Sequence, residues 1–223
     1  MAITFTQVSG ATVDTTDQLN IFEAYQKAFI VNGTNKKVLD FVNDKLTLAA
    51  LTTPPLRGDT LTQATSGATM IVDFVNAAKT EIYGYRTSTA AFNTTNTVSS
   101  DNAGGQTMDP ATFTPSAVVA QASGPHWYDW TKHPSKTTTL PAKLYLGCLY
   151  RGRNVVSGNP NDPYQWYMSR QGDPFDFDYA SNDAQTAVAG ANADAGKVGD
   201  IIRALIPWHD DYLIFGCASS MHI

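Results

Sequence analysis

The sequence is poor in charged residues, which make up 16% of its 223 positions, and basic residues are not in excess. Fifteen lysines and arginines against 20 acidic residues give a net charge of −5 at pH 7. Sequence-independent binding of nucleic acid requires clustered positive charge that neutralises phosphate. The composition therefore argues against a DNA-binding domain and predicts a surface rich in threonine, asparagine, serine and alanine.

Cysteine and long hydrophobic runs are also scarce. The two cysteines, Cys148 and Cys217, lie in apolar runs and are interpreted as buried, reduced thiols. The cysteine and histidine spacing of a metal site is absent. The N-terminus lacks the basic and apolar segments of a secretion signal, and no window is long enough to span a membrane. We expect a soluble protein made in a cytoplasm, with no cofactor, no metal and no membrane insertion.

The stretch from Leu144 to Ile223 contains short runs of β-branched and aromatic residues, each ended by Gly, Pro, Asn or Asp. This pattern predicts consecutive strands joined by tight turns. Residues 159–163 are expected to form one hairpin connection and residues 207–211 another, because both are rich in turn-forming residues. No amphipathic helix fits, since the apolar runs are short and the breakers frequent.

The N-terminal part is less clear. Met1–Val13 alternates apolar and polar side chains, which is typical of an edge strand or an arm. Between Asp14 and Ile30 the spacing allows a helix that gives way to a strand, or a strand throughout. We favour a strand over Gln26–Val31, a turn at residues 32–35 and a further strand that continues through Leu48.

A weak internal repeat suggests a propeller. Three stretches, beginning at Lys27, Arg153 and Asp211, each join a charged residue to a short apolar run and then a glycine. Units of four strands repeated along the chain are typical of propeller blades. The first gap between these stretches is the longer one, and its composition shifts to Thr, Ser, Ala, Asn and Gly, with proline-containing signals at both ends.

We therefore predict an all-β chain of propeller-like blades with an inserted small β-barrel or sandwich module. Residues 1–52 would supply the N-terminal strands, residues 53–123 the inserted module between two blades, and residues 124–223 the continued propeller-like domain. Arg57-Gly58-Asp59 is interpreted as a turn before a strand of that module.

No set of residues points to catalysis. The four histidines are scattered, without a metal-binding pattern, and no G-x-S-x-G nucleophile turn is present. The acidic run 173–178 could supply calcium ligands, but its alternation favours a turn in which Phe175 and Phe177 pack inward. We predict no catalytic residue, and hence no enzyme.

The sequence from Pro125 to Trp130 concentrates aromatic residues directly after the predicted module. Trp127 and Trp130 could anchor a partner or stack on a sugar, and equally they could fill the junction between module and propeller. The former role makes them candidate interface residues.

Two long segments resemble structural tail proteins of short-tailed bacteriophages, of the propeller-containing nozzle or tail-tube type. They are RGRNVVSGNPNDPYQWYMSRQGDPFDFDYA, from Arg151, and NADAGKVGDIIRALIPWHDDYLIFGCASSM, which ends at Met221. FIVNGTNKKVLDFV, from Phe29, matches more loosely. The pairing of SRxGDPxDF with LIPxxDDYLIFG is the more specific part of the resemblance.

The resemblance implies a virion protein of the tail or neck, assembled in the host cytoplasm. It would form a homo-oligomeric ring with portal, adaptor and fibre proteins as partners, and DNA would pass through without specific binding. Asp210 and Asp211, at a predicted hairpin tip, would then be candidates for an acidic lumen. A closed propeller needs about four blades. The two or three predicted here imply completion by neighbouring subunits, or a fragment of a longer product. The alternative function is a glycan-binding or glycan-cleaving propeller of a tail spike.

Overall fold

The structure is a computed structural model that describes residues 13–138, 140–180, 183–191, 193 and 195–223. These residues form 18 strands in four antiparallel sheets, with a single 3-10 turn at Gln121–Ser123. The predicted all-β class is confirmed. The predicted edge strand or arm at Met1–Val13 lies, apart from Val13, outside the described residues.

The first sheet has the order β1-β2-β3-β11, with bounds β1 Asn20–Ala24, β2 Lys27–Asn32, β3 Asn35–Asp40 and β11 His126–Asp129. Between Asp14 and Ile30 the sequence allowed either a helix or a strand. The elements that form there, β1 and the first part of β2, are both strands. Tyr25 and Gln26 turn the chain between β1 and β2, and both have positive φ, 54° and 58°. Two such residues in succession are the geometry of a tight hairpin turn.

The predicted strand through Leu48 is wrong, because β3 ends at Asp40. The Asp40 carboxylate accepts hydrogen bonds from the backbone N–H groups of Val42, at 2.9 Å, and Asn43, at 3.1 Å. A side chain that binds its own following backbone in this way replaces the strand ladder with a turn. The chain then enters a different sheet at β4, Asp44–Thr47.

That second sheet is the inserted module, a seven-stranded sheet that curls as a half-barrel around its own core. Its order is β10-β4-β7-β6-β5-β8-β9, where the strands after β4 are β5 Thr60–Gln63, β6 Thr69–Val75, β7 Glu81–Arg86, β8 Val98–Ser100, β9 Thr112–Phe113 and β10 Ala117–Val119. The sheet thus begins at Asp44, before the predicted boundary at residue 53. The prolines at 54 and 55 mark a loop inside the module.

The module is inserted within a blade, and the prediction that it lies between two blades is corrected. After the module the chain returns as β11, which pairs with β3 in the register His126↔Asp40 to Asp129↔Lys37. The first sheet is therefore interrupted between its third and fourth strands. The interruption could not be located from local pattern, because the pairing joins residues that are far apart in the chain.

The remaining strands form a four-stranded third sheet, β12-β13-β14-β15, and a three-stranded fourth sheet, β16-β17-β18. Their bounds are β12 Leu146–Tyr150, β13 Arg153–Asn159, β14 Asp162–Met168, β15 Val188–Ala189, β16 Ile202–Trp208, β17 Tyr212–Cys217 and β18 Met221–His222. Both predicted hairpins, β13–β14 and β16–β17, are present.

The three sheets outside the module stack in chain order. Strand β1 lies against β12, and β12 lies against β16, so the first strand of each sheet contacts the first strand of the next. These first strands, here called the leading strands, connect the three sheets in series, and such packing of successive sheets agrees with the predicted blade-like fold. Among the described residues, no helix has the length and hydropathy needed to cross a membrane.

The contact between the first and third sheets makes a prediction about Gly147. A Cβ atom at this position would lie 2.3 Å from Cε1 of Phe22, which is well inside van der Waals contact. We expect Gly147→Ala to lower the free energy of unfolding by about 1–3 kcal/mol, because the two sheets must move apart. Gly199→Ala is the control, since a Cβ there meets no atom within 4 Å. Chemical denaturation of both variants measures the difference, and equal stabilities would contradict this packing.

Candidate assembly surface

Trp130 lies in the core, where it is 1% exposed, and this corrects its assignment as a candidate interface residue. Its indole packs edge-on against Phe29, with ring centroids 4.8 Å apart, and its Nε1–H donates to the Pro174 carbonyl at 2.9 Å. Nearby, Tyr128 stacks on Phe74 of the module at 4.6 Å. The aromatic segment therefore fills the junction between the module and the neighbouring sheets, in agreement with the other interpretation of its sequence.

Trp127 remains partly accessible. It faces away from the core, because it alternates with Tyr128 along β11. It lines a groove of about 360 Å3 together with Lys37, Glu81 and Asp129. Lys37 forms an ion pair with Asp129 at the edge of this groove. Trp127 is thus the only one of the two predicted tryptophans that a partner could reach in this structure.

Asp210 and Asp211 occupy the turn between β16 and β17, as predicted, and both are exposed. Their carbonyl oxygens are held by the neighbouring sheet. The Arg151 guanidinium donates to the Asp210 carbonyl, and the Tyr150 hydroxyl donates to the Asp211 carbonyl at 3.1 Å. These bonds fix the hairpin tip through its backbone and leave the two carboxylates free to face solvent or a partner.

The fourth sheet has two apolar faces, of which one is covered. Leu205, Leu213 and Phe215 point toward the third sheet and belong to the clusters that join the two sheets. The opposite face, here called the free face, consists of the alternate residues in three cross-strand rows. In register these are Ala204–Gly216–Met221, Ile206–Ile214 and Trp208–Tyr212.

The free face is apolar and open to solvent. Ile206 is 45% exposed, Tyr212 55%, Trp208 58% and Met221 68%. Antiparallel sheets that meet water on one side normally carry polar residues there. Contiguous exposed apolar surface is typical of a site of protein–protein contact. This face is therefore the strongest candidate for a functional surface among the described residues.

A charged cluster, in which Lys27 and Asp40 are buried and the other members partly buried, joins the module to the sheets outside it. Lys27 on β2 lies 2.7 Å from the Asp73 carboxylate on β6, and Arg57 lies 3.0 Å from the same carboxylate. Arg57 also approaches Asp173, in the loop after β14, at 3.8 Å. Lys27 reaches Asp40 at 4.0 Å. The cluster thus connects the first sheet, the inserted module and the loop after β14 through side chains that no local sequence pattern could have paired.

The cluster contains three carboxylates and only two cations, Lys27 and Arg57. The pKa values of two of the carboxylates, Asp73 and Asp173, are shifted in opposite directions. Lys27 and Arg57 hold the pKa of Asp73 below its ordinary value, although burial opposes them. Burial raises the pKa of Asp173, and Arg57 offsets this only in part. The cluster therefore has one strongly bound carboxylate and one whose ionised form is disfavoured. Such an arrangement stabilises the junction and needs no ligand to explain it.

The acidic run 173–178 forms turns, as its alternation predicted. Phe175 and Phe177 are buried, and Asp173 and Asp176 each accept a hydrogen bond from a backbone N–H two residues further on. Asp176 also forms an ion pair with Lys136 at 3.1 Å. In the part of the chain that the structure describes, no three His, Cys, Asp or Glu side chains are grouped so that they could hold a metal ion.

Both cysteines are free thiols, as predicted. Cys148 is buried in the contact between the third and fourth sheets, as predicted, whereas Cys217 is only partly buried. Burial raises the pKa of Cys148 to about 12, so its thiol is protonated at neutral pH. A protonated thiol is a poor nucleophile, and this residue acts as a small core side chain.

The sequence interpretation missed the free face, although a signal for it was present. Residues 201–206 and 212–215 were identified as strands, and apart from Arg203 both alternate sets of their residues are apolar or aromatic. A strand with two apolar faces is normally buried on both sides. This pattern could have predicted a second partner for the sheet. Comparison of the chain with family models, curated proteins and solved structures gave no match.

Proposed function

We propose that this chain is a non-enzymatic structural protein of a bacteriophage tail or neck, and that it assembles with further copies into a ring around the DNA exit path. The observation that carries the proposal is the free face of the fourth sheet. A sheet with Ile206, Trp208 and Tyr212 exposed together is suited to bury that face against another protein. The phage-like segments at residues 151–180 and 192–221 include the strands of this face and supply the biological context.

The acidic turn between β16 and β17 supports the proposal that this protein lies next to DNA. Asp210 and Asp211 project two carboxylates from a turn whose backbone is fixed by Tyr150 and Arg151. A channel lined with acidic tips repels phosphate, so that the duplex slides and does not bind. The chain's net charge of −5 agrees with this role.

The glycan-binding alternative has less support from the geometry. Trp130 is in the core, and Asp173 and Asp176 are bound by Arg57 and Lys136. Trp127 and its groove remain as the part of that hypothesis that a sugar could reach. Binding of a glycan that is lost in Trp127→Ala, by a protein that stays monomeric, would replace the structural proposal.

The test is the oligomeric state and the location of the protein. Mass photometry of the purified chain is expected to show a discrete oligomer larger than a dimer, and antibody labelling is expected to find it in phage particles at the tail or neck. The same sample should show no measurable binding of duplex DNA at physiological salt. A monomer absent from particles, or tight and salt-sensitive DNA binding, would overturn the proposal.

A further inference from the structure

We infer that the ring contact is head-to-tail: the free face of the fourth sheet in one copy packs on the outer face of the first sheet in the next copy. The inference rests on the proposed function, since it names the surface through which the proposed ring forms. It commits to a second copy of this chain as the occupant of the free face.

The first sheet supplies a matching surface. Phe22, Phe29 and Tyr128 point inward, so the alternate residues form an outer face. One cross-strand row of that face is Ile21–Ile30–Lys37–Asp129, and the next is Glu23–Ala28–Leu39–Trp127. Most of these residues are apolar, in a chain where Thr, Ser and Asn are abundant.

The exposed apolar residues of this outer face lie at β1, whereas the exposed residue at its other edge is the charged Asp129 on β11. Ile21 is 56% exposed, and Leu19, just before the strand, is 48% exposed. By contrast, Ile30 on the neighbouring strand β2 is buried. The apolar surface that lacks a cover therefore lies on the leading strand of the first sheet.

Within one copy, the leading strands make the most extensive contacts between the sheets outside the module. Strand β1 contacts β12, and β12 contacts β16. If this series of sheets continued beyond the fourth sheet, the leading strand of the added sheet would contact β16. Strand β1 of a second copy meets this requirement. It is a leading strand, and it already packs against another leading strand, β12, within its own copy. Its outward-facing residue Ile21 is exposed. The contact would continue between copies the packing that the chain uses within itself.

This contact uses two different surfaces of the same chain, so it is heterologous. A heterologous contact closes into a ring or extends into an open filament, according to the rotation between subunits. The two surfaces can also be disabled separately. That property allows a test by mixing.

The experiment uses two full-length variants. Trp208→Asp places a charge on the free face, and Ile21→Asp places one on the outer face of β1. Each alone is expected to raise the apparent dissociation constant of the oligomer at least about 30-fold, which is the effect of losing one strong interface residue. An equimolar mixture is expected to form a dimer and nothing larger, because each variant keeps the surface that the other has lost. Analytical ultracentrifugation measures all three samples.

Ile71→Asp is the matched control, because Ile71 is an exposed isoleucine in a strand of the inserted module. It should assemble like the unchanged chain, and circular dichroism should show that all variants are folded. A monomeric unchanged chain would overturn the proposed function and this contact together. An oligomer that tolerates both variants would overturn the contact alone. If Ile21→Asp still dimerises by itself and Trp208→Asp does not, the free faces pair with each other, and the head-to-tail arrangement is wrong.

Discussion

Replacing Trp130 with alanine is expected to lower the free energy of unfolding by about 3–5 kcal/mol, which is the usual cost of removing a large aromatic side chain from a core. The indole is 1% exposed and contacts Phe22, Phe29 and Phe177 with centroid distances of 4.8–6.1 Å. Its removal also leaves the Pro174 carbonyl without the indole N–H donor. Urea denaturation at neutral pH measures the loss.

Trp208→Ala provides the matched control, because Trp208 is 58% exposed on the free face of the fourth sheet. At a protein concentration low enough to keep the chain monomeric, this variant should change the free energy of unfolding by less than about 0.5 kcal/mol. The two substitutions therefore test the effects of these tryptophans on folding and on assembly separately. Equal losses of stability in the two variants would show that Trp130 does not lie in the core.

Local sequence pattern predicted the strands well where the turn is encoded by adjacent residues. The β13–β14 and β16–β17 hairpins follow from runs of Asn, Pro and Asp between apolar segments, and the turn at Arg57 and Gly58 before β5 follows in the same way. In both hairpins a single short segment ends one strand and leads directly into the next. The conformation of each turn is determined by about five consecutive residues.

The same approach failed where the outcome depends on distant residues. The aspartate that ends β3, Asp40, accepts bonds from Val42 and Asn43 but is also held by the Tyr128 hydroxyl at 2.8 Å, from a strand beyond the module. The segment into Leu48 was interpreted as a continuous strand, although the turn-forming residues Asn43 and Asp44 lie within it. Trp130 was similarly ambiguous, since an aromatic residue after a boundary suits a core and an interface equally well.

The charged cluster lay beyond sequence analysis for a related reason. Its members come from β2, β3, β6, the turn before β5 and the loop after β14, and each is an ordinary charged residue in its local context. Only the packing of the sheets brings them together. Its energetic consequences are nevertheless large, because removal of one partner from a buried ion pair leaves the other charge uncompensated.

Asp73→Asn is therefore expected to destabilise the protein by about 3–5 kcal/mol at neutral pH. The Asp73 carboxylate is the shared partner of Lys27, at 2.7 Å, and Arg57, at 3.0 Å, and it also accepts a hydrogen bond from Asn43 at 2.8 Å. An asparagine keeps the shape of the side chain and removes its charge. Lys27 would then remain buried, with Asp40 at 4.0 Å as its nearest acidic partner.

The loss depends on pH in a definite direction. Because the pKa of Asp73 in the folded chain lies below its ordinary value of 3.8, the ionised carboxylate stabilises the fold above that pH. This contribution disappears as the pH falls from 3.8 through the folded pKa. The difference in stability between the unchanged chain and Asp73→Asn should thus be full at pH 7 and should shrink below about pH 4, where urea denaturation of both proteins measures it.

Asp173→Asn is the control within the same cluster. Burial raises the pKa of Asp173, so its ionised form is less stable in the folded chain than in the unfolded one, and the linkage has the opposite sign. Arg57 would keep Asp73 as a partner after this change. We expect Asp173→Asn to cost less than about 1 kcal/mol at pH 7, since one of three carboxylates around two cations is removed. A loss as large as that of Asp73→Asn would mean that the cluster needs all three negative charges.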